Sequence, residues 1–222
     1  MNDDKKGLQS VFKSRIDRFD RRVMPNTKIP RGILNSEGFA FCALAELLGA
    51  DLIVESGVCN GGSTTILGKY FNDIPIISID VTTKLEAIVR TSIFHNVTIL
   101  TGDSNVLLPR ICEIFSDKKK IAILIDGPKG INAITLAGKC FDRDNVVMVG
   151  MHDMFKALHG KLKQDRILFD NLRVNKFVTD DDDFVNNYGY LNGVDDGPRN
   201  KKYTSPQYGG YEPCIGFVLK DK

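Results

Sequence analysis

Residues 52–64 read LIVESGVCNGGST, and this stretch decides the fold. A short apolar run, of the length of a buried strand, ends in the carboxylate of Glu55. Three glycines follow, and Ser63-Thr64 open a segment that reads as a helix through Tyr70. Glycines let the backbone turn sharply and approach a ligand closely, while the first turn of a helix offers unpaired N–H groups. The stretch therefore predicts a strand, a turn and a helix that bind a nucleotide or nucleoside.

Apolar runs of the same kind recur along the chain, separated by segments long enough for a helix. They lie at 52–55, 74–80, 97–101, 121–126 and 145–150. Continuous apolar runs are typical of parallel strands that are covered on both faces. Because strands and helices alternate, we expect an α/β fold with a doubly wound, mostly parallel sheet and helices on both faces.

The N-terminal segment precedes this alternation. Residues 8–24 repeat apolar positions at helical spacing, a loop is predicted at 25–30, and a further helix is predicted through Leu48. Asn35 or Ser36 is the predicted N-cap of that second helix, because both side chains can accept a hydrogen bond from the first turn. We therefore expect a helical extension over residues 1–35 and a single domain over 36–222.

The C-terminal part of that domain contains a long segment without an apolar run. A helix is predicted at 154–169 and two strands at 172–179 and 214–219, and residues 180–213 between the strands are rich in Asp, Asn, Gly and Tyr. A loop of this length in a compact domain is usually functional or disordered. Its five tyrosines favour order, so we predict a lid that covers a substrate.

Composition and charge exclude several classes of protein. A hydrophobic share of 42 % with 26 % charged residues is ordinary for a globular domain, and a net charge of +2 is not that of a general polyanion binder. No apolar stretch approaches the ~20 residues that span a bilayer, and the N-terminus lacks the apolar core of a signal peptide. The cysteines are widely spaced without a CxxC pair, which indicates neither a disulfide framework nor a zinc site. A cytoplasmic protein is expected.

An acidic residue ends or follows every one of the first five predicted strands. In chain order these residues are Glu55, Asp80, Asp103, Asp126 and the Asp153 of a His152-Asp153 pair. Ligands of open α/β sheets bind at that edge. Asp80 lies 25 residues after Glu55, near the spacing at which a carboxylate binds a ribose diol, although a surface acid is the alternative. Asp103 is predicted either to face the nucleobase or to form a turn.

The spacing of the glycines argues against phosphate ligands. Gly57, Gly61 and Gly62 do not make the G-x-G-x-x-G pattern of dinucleotide sites, and no Lys-Ser/Thr follows them as in a P-loop. An acid directly before the turn would repel a phosphate and attract an ammonium group. S-adenosylmethionine carries an amino group, a ribose diol and an adenine but no phosphate, so it is the expected cofactor.

The ordered set of motifs is similar to that of class I S-adenosylmethionine-dependent methyltransferases. The set consists of Glu-x-Gly-x-x-x-Gly-Gly-Ser-Thr from Glu55, then Asp80, Gly102-Asp103 and the apolar run ending in Asp126. The resemblance covers roughly residues 36–179 and implies a Rossmann-like sheet of seven strands with an antiparallel last strand. It also implies that the first motif binds the amino-acid part of the cofactor and that Asp80 binds the ribose hydroxyls. Asp103 is then expected to lie beside the adenine. The predicted cofactor-binding residues are Glu55, Gly57, Asn60, Gly61, Ser63, Asp80, Asp103 and Asp126.

Residues 125–130, IDGPKG, resemble the corresponding segment of metal-dependent O-methyltransferases of the catechol type. In that family the acid ligates a divalent ion and the lysine deprotonates the substrate hydroxyl, which implies these roles for Asp126 and Lys129. Two further ligands, typically Asp-Asn, follow the fifth strand there, whereas this chain has His152-Asp153, and the imidazole is a departure from the pattern.

The predicted reacting end therefore combines a metal with a base. Asp126, His152 and Asp153 are the predicted ligands of Mg²⁺ or another divalent cation, which would lower the pKa of a bound hydroxyl. Lys129, Asp126 and His152 are the predicted catalytic residues, and Lys129 would act as a base if its pKa were lowered. Two alternatives stay open. In the first alternative, residues 127–130 form only a tight turn with an exposed lysine. In the second, His152 acts as a general base without a metal.

The expected activity is transfer of a methyl group to a hydroxyl of a small molecule such as a sugar or a phenol. Methylation of nitrogen or of RNA is the first alternative. The basic N-terminus, with nine Lys/Arg against four Asp/Glu in residues 1–31, keeps RNA open, although no Asn/Asp-Pro-Pro-Tyr/Phe motif follows the fourth strand. A non-catalytic scaffold is the second alternative, because fold does not fix function. The N-terminal helix could also serve a homodimer contact.

Overall fold

The computed structural model describes residues 2–24, 32–154, 161–192, 204–205, 210–211 and 214–221. Within these residues, seven strands form one mixed sheet: β1 (Leu52–Ser56), β2 (Ile76–Asp80), β3 (Val97–Thr101), β4 (Ile121–Ile125), β5 (Val146–Met151), β6 (Asn175–Val178) and β9 (Gly216–Leu219). Their order across the sheet is β3-β2-β1-β4-β5-β9-β6. Two short strands, β7 (Thr204–Ser205) and β8 (Gly210–Tyr211), pair separately.

The first five strands are parallel to one another, and β9 runs antiparallel to both of its neighbours, β5 and β6. The strand order reverses direction between β1 and β4, which places a crevice at the carboxyl ends of these two strands. The predicted α/β fold, a doubly wound and mostly parallel sheet with an antiparallel last strand, is confirmed.

Helices cover both faces of the sheet. They are α1 (Asn2–Arg22), α2 (Asn35–Leu47), α3 (Gly62–Tyr70), α4 (Leu85–Thr91), α5 (Ser104–Ile114), α6 (Ile131–Phe141), α7 (Lys161–Asp170), α8 (Asp182–Tyr188) and the 3₁₀ helix Gly189–Asn192. Side chains alternate along each strand between two apolar cores. Ile53 and Leu124 pack in one core with residues of α1, α2, α3 and α8. Val54 and Ile123 pack in the other core with residues of α5, α6 and α7.

Several boundaries differ from the predictions. Helix α2 begins at Asn35 with Leu34 as its N-cap, so neither Asn35 nor Ser36 is the cap. The reason is that Glu37, which lies inside the helix, accepts a hydrogen bond from the Leu34 backbone N–H at 2.6 Å. The backbone N–H at the helix start is thereby paired by a side chain of the first turn. The helix predicted at 154–169 is described from Lys161 to Asp170, while 155–160 and the loop predicted at 25–30 lie outside the described residues.

The N-terminal helix packs into the main core. Phe19 of α1 is fully buried, and its ring lies 5.3 Å from that of Phe39 of α2. The guanidinium of Arg18 pairs with Glu46 of α2 at 2.8 Å, so part of the basic charge of α1 is used within the molecule. No helix among the described residues is long and apolar enough to cross a membrane.

The segment predicted as a lid begins with residues that pack into the same core. Phe184 and Tyr188 of α8 lie 5.1 and 5.7 Å from the ring of Phe12, and Leu191 is fully buried. Residues 182–192 are therefore part of the folded body. A covering role for the rest of 180–213 stays a prediction, and most of that part lies outside the described residues.

Candidate active site

The carboxylate of Glu55 is buried at the end of β1, and its surroundings are set by the register of the sheet. Glu55 lies beside Ser78 of β2, whose hydroxyl donates to Oε2 at 2.7 Å, and Thr64 of α3 donates to the same oxygen at 2.5 Å. No hydrogen bond of acceptable geometry reaches the buried Oε1 from the described residues. Burial raises the pKa of Glu55, the neighbouring hydroxyls lower it in part, and the charge of Asp126 raises it further. A cation beside Oε1 would stabilise the ionised carboxylate and lower its pKa again.

The turn after Glu55 brings the tips of β1 and β4 into contact. Gly57 has φ +96°, and a Cβ there would lie 2.7 Å from the backbone nitrogen of Gly127. Only glycine fits both the left-handed conformation and the close approach. Gly61, with φ +78°, is the residue before α3, so the backbone N–H groups of that helix begin at the same crevice. The first motif is thereby joined directly to the Asp126–Gly127 segment.

The other predicted cofactor-binding residues have partners within the fold. Asp80 accepts from the backbone N–H of Cys59 at 2.8 Å and so fixes the glycine turn. Asp103 is the N-cap of α5 and accepts from the Asn105 backbone N–H at 2.8 Å, as the turn-forming alternative expects. The side-chain oxygen of Asn60 accepts from Lys84 at 3.0 Å, and Ser63 is buried. Contacts of these residues with a cofactor stay predictions.

The four residues predicted for the reacting end lie together at the tips of β4 and β5. Lys129 Nζ lies 2.5 Å from Asp126 Oδ1, 2.9 Å from Asp153 Oδ2 and 3.1 Å from His152 Nδ1. The ammonium group of Lys129 is thus placed among the three residues predicted to hold a divalent cation. The Lys129 side chain is 47 % exposed, against 16 % for Asp126 and 24 % for Asp153, so the lysine is more accessible to solvent than either carboxylate.

The charges of this cluster oppose the predicted lowering of the lysine pKa. Burial alone would lower the pKa of Lys129, but the carboxylates of Asp126 and Asp153 outweigh burial and raise it. Burial would raise the pKa of Asp126, and the charges of His152 and Lys129 lower it overall. Lys129 is therefore a cation, and Asp126 an anion, at neutral pH.

The opposite side of the His152 ring faces a buried acid that the sequence analysis did not single out. His152 Nε2 lies 3.4 Å from Glu37 Oε2, and Glu37 also accepts from the Cys214 backbone N–H at 2.7 Å. Burial would lower the pKa of His152, but Cys214, Glu37 and Asp126 raise it well above its ordinary value. The predicted N-caps Asn35 and Ser36 gave no signal for Glu37, which lies three residues after the actual N-cap Leu34, where a glutamate usually caps. No comparable signal marks Cys214.

Comparisons with known proteins support the fold. No protein-family model and no curated protein sequence matches the chain. Among solved structures, an O-methyltransferase from Bacillus cereus in complex with SAH aligns with TM-score 0.52 and 16 % identity over 95 % of this chain and 91 % of that one. The O-methyltransferase TomG from Streptomyces achromogenes, in complex with SAM, aligns with TM-score 0.57 and 13 % identity over 96 % and 89 %. SAH-bound PaMTH1, a methyltransferase from Podospora anserina, aligns with TM-score 0.52 and 12 % identity over 93 % and 87 %. The chain shares the Rossmann-like fold of these class I methyltransferases.

Proposed function

We propose that this protein transfers a methyl group from S-adenosylmethionine to a hydroxyl oxygen of a small molecule, such as a sugar or a phenol. The observation that carries the proposal is the Lys129 ammonium group, which lies among Asp126, His152 and Asp153 and is the most exposed of the four. The same strand tips carry Glu55 and the glycine turn, in direct contact with Gly127. A cofactor site and a cationic reacting site would thus share one crevice.

At the cofactor end, the residues fit the amino-acid part of S-adenosylmethionine. The carboxylate of Glu55 is buried among the hydroxyls of Ser63, Thr64 and Ser78, and an ammonium group would supply a further hydrogen bond together with a compensating charge. The N-terminus of α3 offers backbone N–H groups to a carboxylate. Asp80 would accept hydrogen bonds from the ribose hydroxyls on the lone pairs that the backbone N–H groups of Cys59 and Thr82 leave free. When bound, this cofactor supplies an electrophilic methyl group on a sulfonium.

At the reacting end, Lys129 would bind the acceptor oxygen and favour its ionised form. A bond forms between that oxygen and the methyl carbon while the carbon–sulfur bond breaks and its electron pair stays on sulfur. The hydroxyl proton passes to Asp153, the more exposed of the two carboxylates that contact Lys129. Asp126 holds the ammonium from the buried side at 2.5 Å. Positive charge fixed where negative charge develops is an effective way to lower such a barrier.

The sequence predicted a divalent ion at Asp126, His152 and Asp153, and we propose that the Lys129 ammonium group takes its place. With Lys129 Nζ at 2.5 and 2.9 Å from the two carboxylates, these residues do not fit a second cation in the same place, because the charges would repel each other. We therefore propose no step through a metal at this position. The lysine supplies the positive charge that the ion would otherwise bring.

Substitution of Asp80 tests the cofactor assignment. We expect Asp80→Asn to weaken the binding of S-adenosylhomocysteine by about 10–100-fold, the effect of losing charge-assisted hydrogen bonds. Isothermal titration calorimetry measures the affinity, with the exposed Asp73→Asn as a matched control that binds as the wild type does. Equal affinity in Asp80→Asn, or no binding by the wild type, would contradict the proposal. A panel of phenols and sugars, with RNA included, then identifies the acceptor class.

Substitution of Glu55 separates stability from binding. The pKa of Glu55 in the folded state is raised above the 4.5 of a free side chain. The carboxyl therefore lowers the free energy of unfolding at pH 7, where it is ionised in the unfolded state. Below about pH 4 it is protonated in both the folded and the unfolded state, and this destabilisation disappears. Glu55→Gln is therefore expected to raise the melting temperature at pH 7 and to leave it unchanged at pH about 3.5. Binding of S-adenosylhomocysteine should weaken by about 10-fold or more. The exposed Glu113→Gln is the control, and a lower melting temperature of Glu55→Gln at pH 7 would refute this reading.

A further inference from the structure

Three potential metal ligands meet on the side of the His152 ring that faces away from Lys129. Glu37, His152 and Cys214 each contribute one ligand atom, and these atoms all lie within 4.8 Å of one another. In the described part of the chain this is the one group of three acidic, histidine or cysteine side chains with that spacing. Glu37 and Cys214 are buried. We propose that Glu37, His152 and Cys214 bind a zinc ion that ties α2 and the residues leading into β9 to the tip of β5.

The donor set and its geometry suit zinc. Carboxylate oxygen, imidazole nitrogen and thiolate sulfur are the ligands that zinc takes, and two ligands about 2.1 Å from a tetrahedral ion lie about 3.4 Å apart. His152 Nε2 and Glu37 Oε2 are separated by 3.4 Å. Mg²⁺ prefers oxygen ligands alone, so a site with one carboxylate, one imidazole and one thiol selects against it.

The neighbours of these ligands orient them as the neighbours of a metal site do. Metal-binding histidines usually donate their other ring N–H to a carboxylate, and His152 Nδ1 lies 2.7 Å from Asp126 Oδ1. That bond directs Nε2 toward Glu37, where the ion would lie. The carboxylate of Glu37 is held in place by two backbone N–H groups, those of Leu34 at 2.6 Å and Cys214 at 2.7 Å.

The charges also balance around a dication. A zinc ion would neutralise the Glu37 carboxylate and the Cys214 thiolate, since a coordinating thiol loses its proton. The imidazole that departs from the methyltransferase pattern at position 152 thereby gains a role apart from methyl transfer.

Zinc binding is measured without any reference to cofactor or activity, so its failure and the failure of the proposed function are distinguishable. The full-length protein is stripped with a chelator, supplied with zinc and passed through gel filtration, and bound metal is counted by mass spectrometry. Competition with a chromophoric chelator gives the affinity, and cobalt substitution reports a thiolate-to-metal charge-transfer band. We expect one zinc per chain and a cobalt band in the wild type and in the matched control Cys59→Ser.

The variants decide the ligands. Cys214→Ser should lose the cobalt band and bind zinc at least about 100-fold more weakly, while Asp126→Asn, which keeps all three ligands, should weaken zinc about 10–100-fold. Circular dichroism shows that each variant is folded. A wild type with well under one zinc per chain, or a cobalt band that persists in Cys214→Ser, would overturn the proposal. Should Cys214→Ser fail to fold, unchanged zinc affinity in Asp126→Asn would do the same.

Discussion

Replacing Lys129 with methionine is expected to lower kcat for methyl transfer by about 10²–10³-fold, the usual effect of removing one charge-stabilising donor from a reacting site. Methionine keeps most of the side-chain volume but removes the ammonium group that Asp126 and Asp153 hold at 2.5 and 2.9 Å. The affinity for S-adenosylhomocysteine should stay within about 3-fold of the wild type, since the cofactor is assigned to other residues. Steady-state kinetics and calorimetry measure the two quantities.

The pH dependence of this deficit distinguishes a cation from a base. The pKa of Lys129 is raised above the ordinary 10.5, so the ammonium group is fully present at pH 7 and at pH 9. The ratio of wild-type to Lys129→Met rates should therefore be the same at both values, whereas a lysine acting as a neutral base would make the ratio grow with pH. The exposed Lys118→Met is the control, and added Mg²⁺ should leave the wild-type rate unchanged. Full activity of Lys129→Met would favour the alternative in which residues 127–130 form only a tight turn with an exposed lysine.

Replacing Gly57 with alanine is expected to destabilise the fold by about 2–5 kcal/mol, from backbone strain together with overpacking. The new Cβ would lie 2.7 Å from the nitrogen of Gly127 and 2.9 Å from the carbonyl carbon of Asp126, at a residue with φ +96°. Backbone atoms cannot move aside as a flexible side chain would. A loss of about 2–4 °C in melting temperature per kcal/mol is expected for a chain of this size.

Gly49→Ala provides the matched control for this substitution. Gly49 also has a positive φ, +70°, but a Cβ there meets nothing within 4 Å. Its alanine variant should therefore lose only the cost of the left-handed conformation, about 1–2 kcal/mol. The difference between the two variants in denaturant unfolding isolates the contact between the tips of β1 and β4. Equal destabilisation would show that this contact is not constrained as the structure indicates.

The fold was predictable because its determinants are local. Each apolar run has the length of one strand, and the segments between the runs have the length of a helix, so the alternation alone implies a parallel sheet. Glu55 and Asp126 could be assigned to one edge because the carboxyl ends of parallel strands lie together. Exact boundaries were less predictable. The helix at Asn35 is capped from within by Glu37, a hydrogen bond that helix periodicity does not encode.

The amino-acid sequence by itself determined the mostly parallel sheet, the order of the motifs along the chain and the acidic residues at the strand tips. Only the tertiary structure decided what these residues are next to. It placed the ammonium group of Lys129 where a metal was expected, and it raised the pKa of that lysine instead of lowering it. It also brought Glu37 and Cys214, 177 residues apart in the chain, together at His152, where we propose a zinc ion that the spacing of the cysteines did not indicate. The physical reason is that charge state and coordination depend on distances of a few ångströms and on burial, which arise only when distant segments pack against one another.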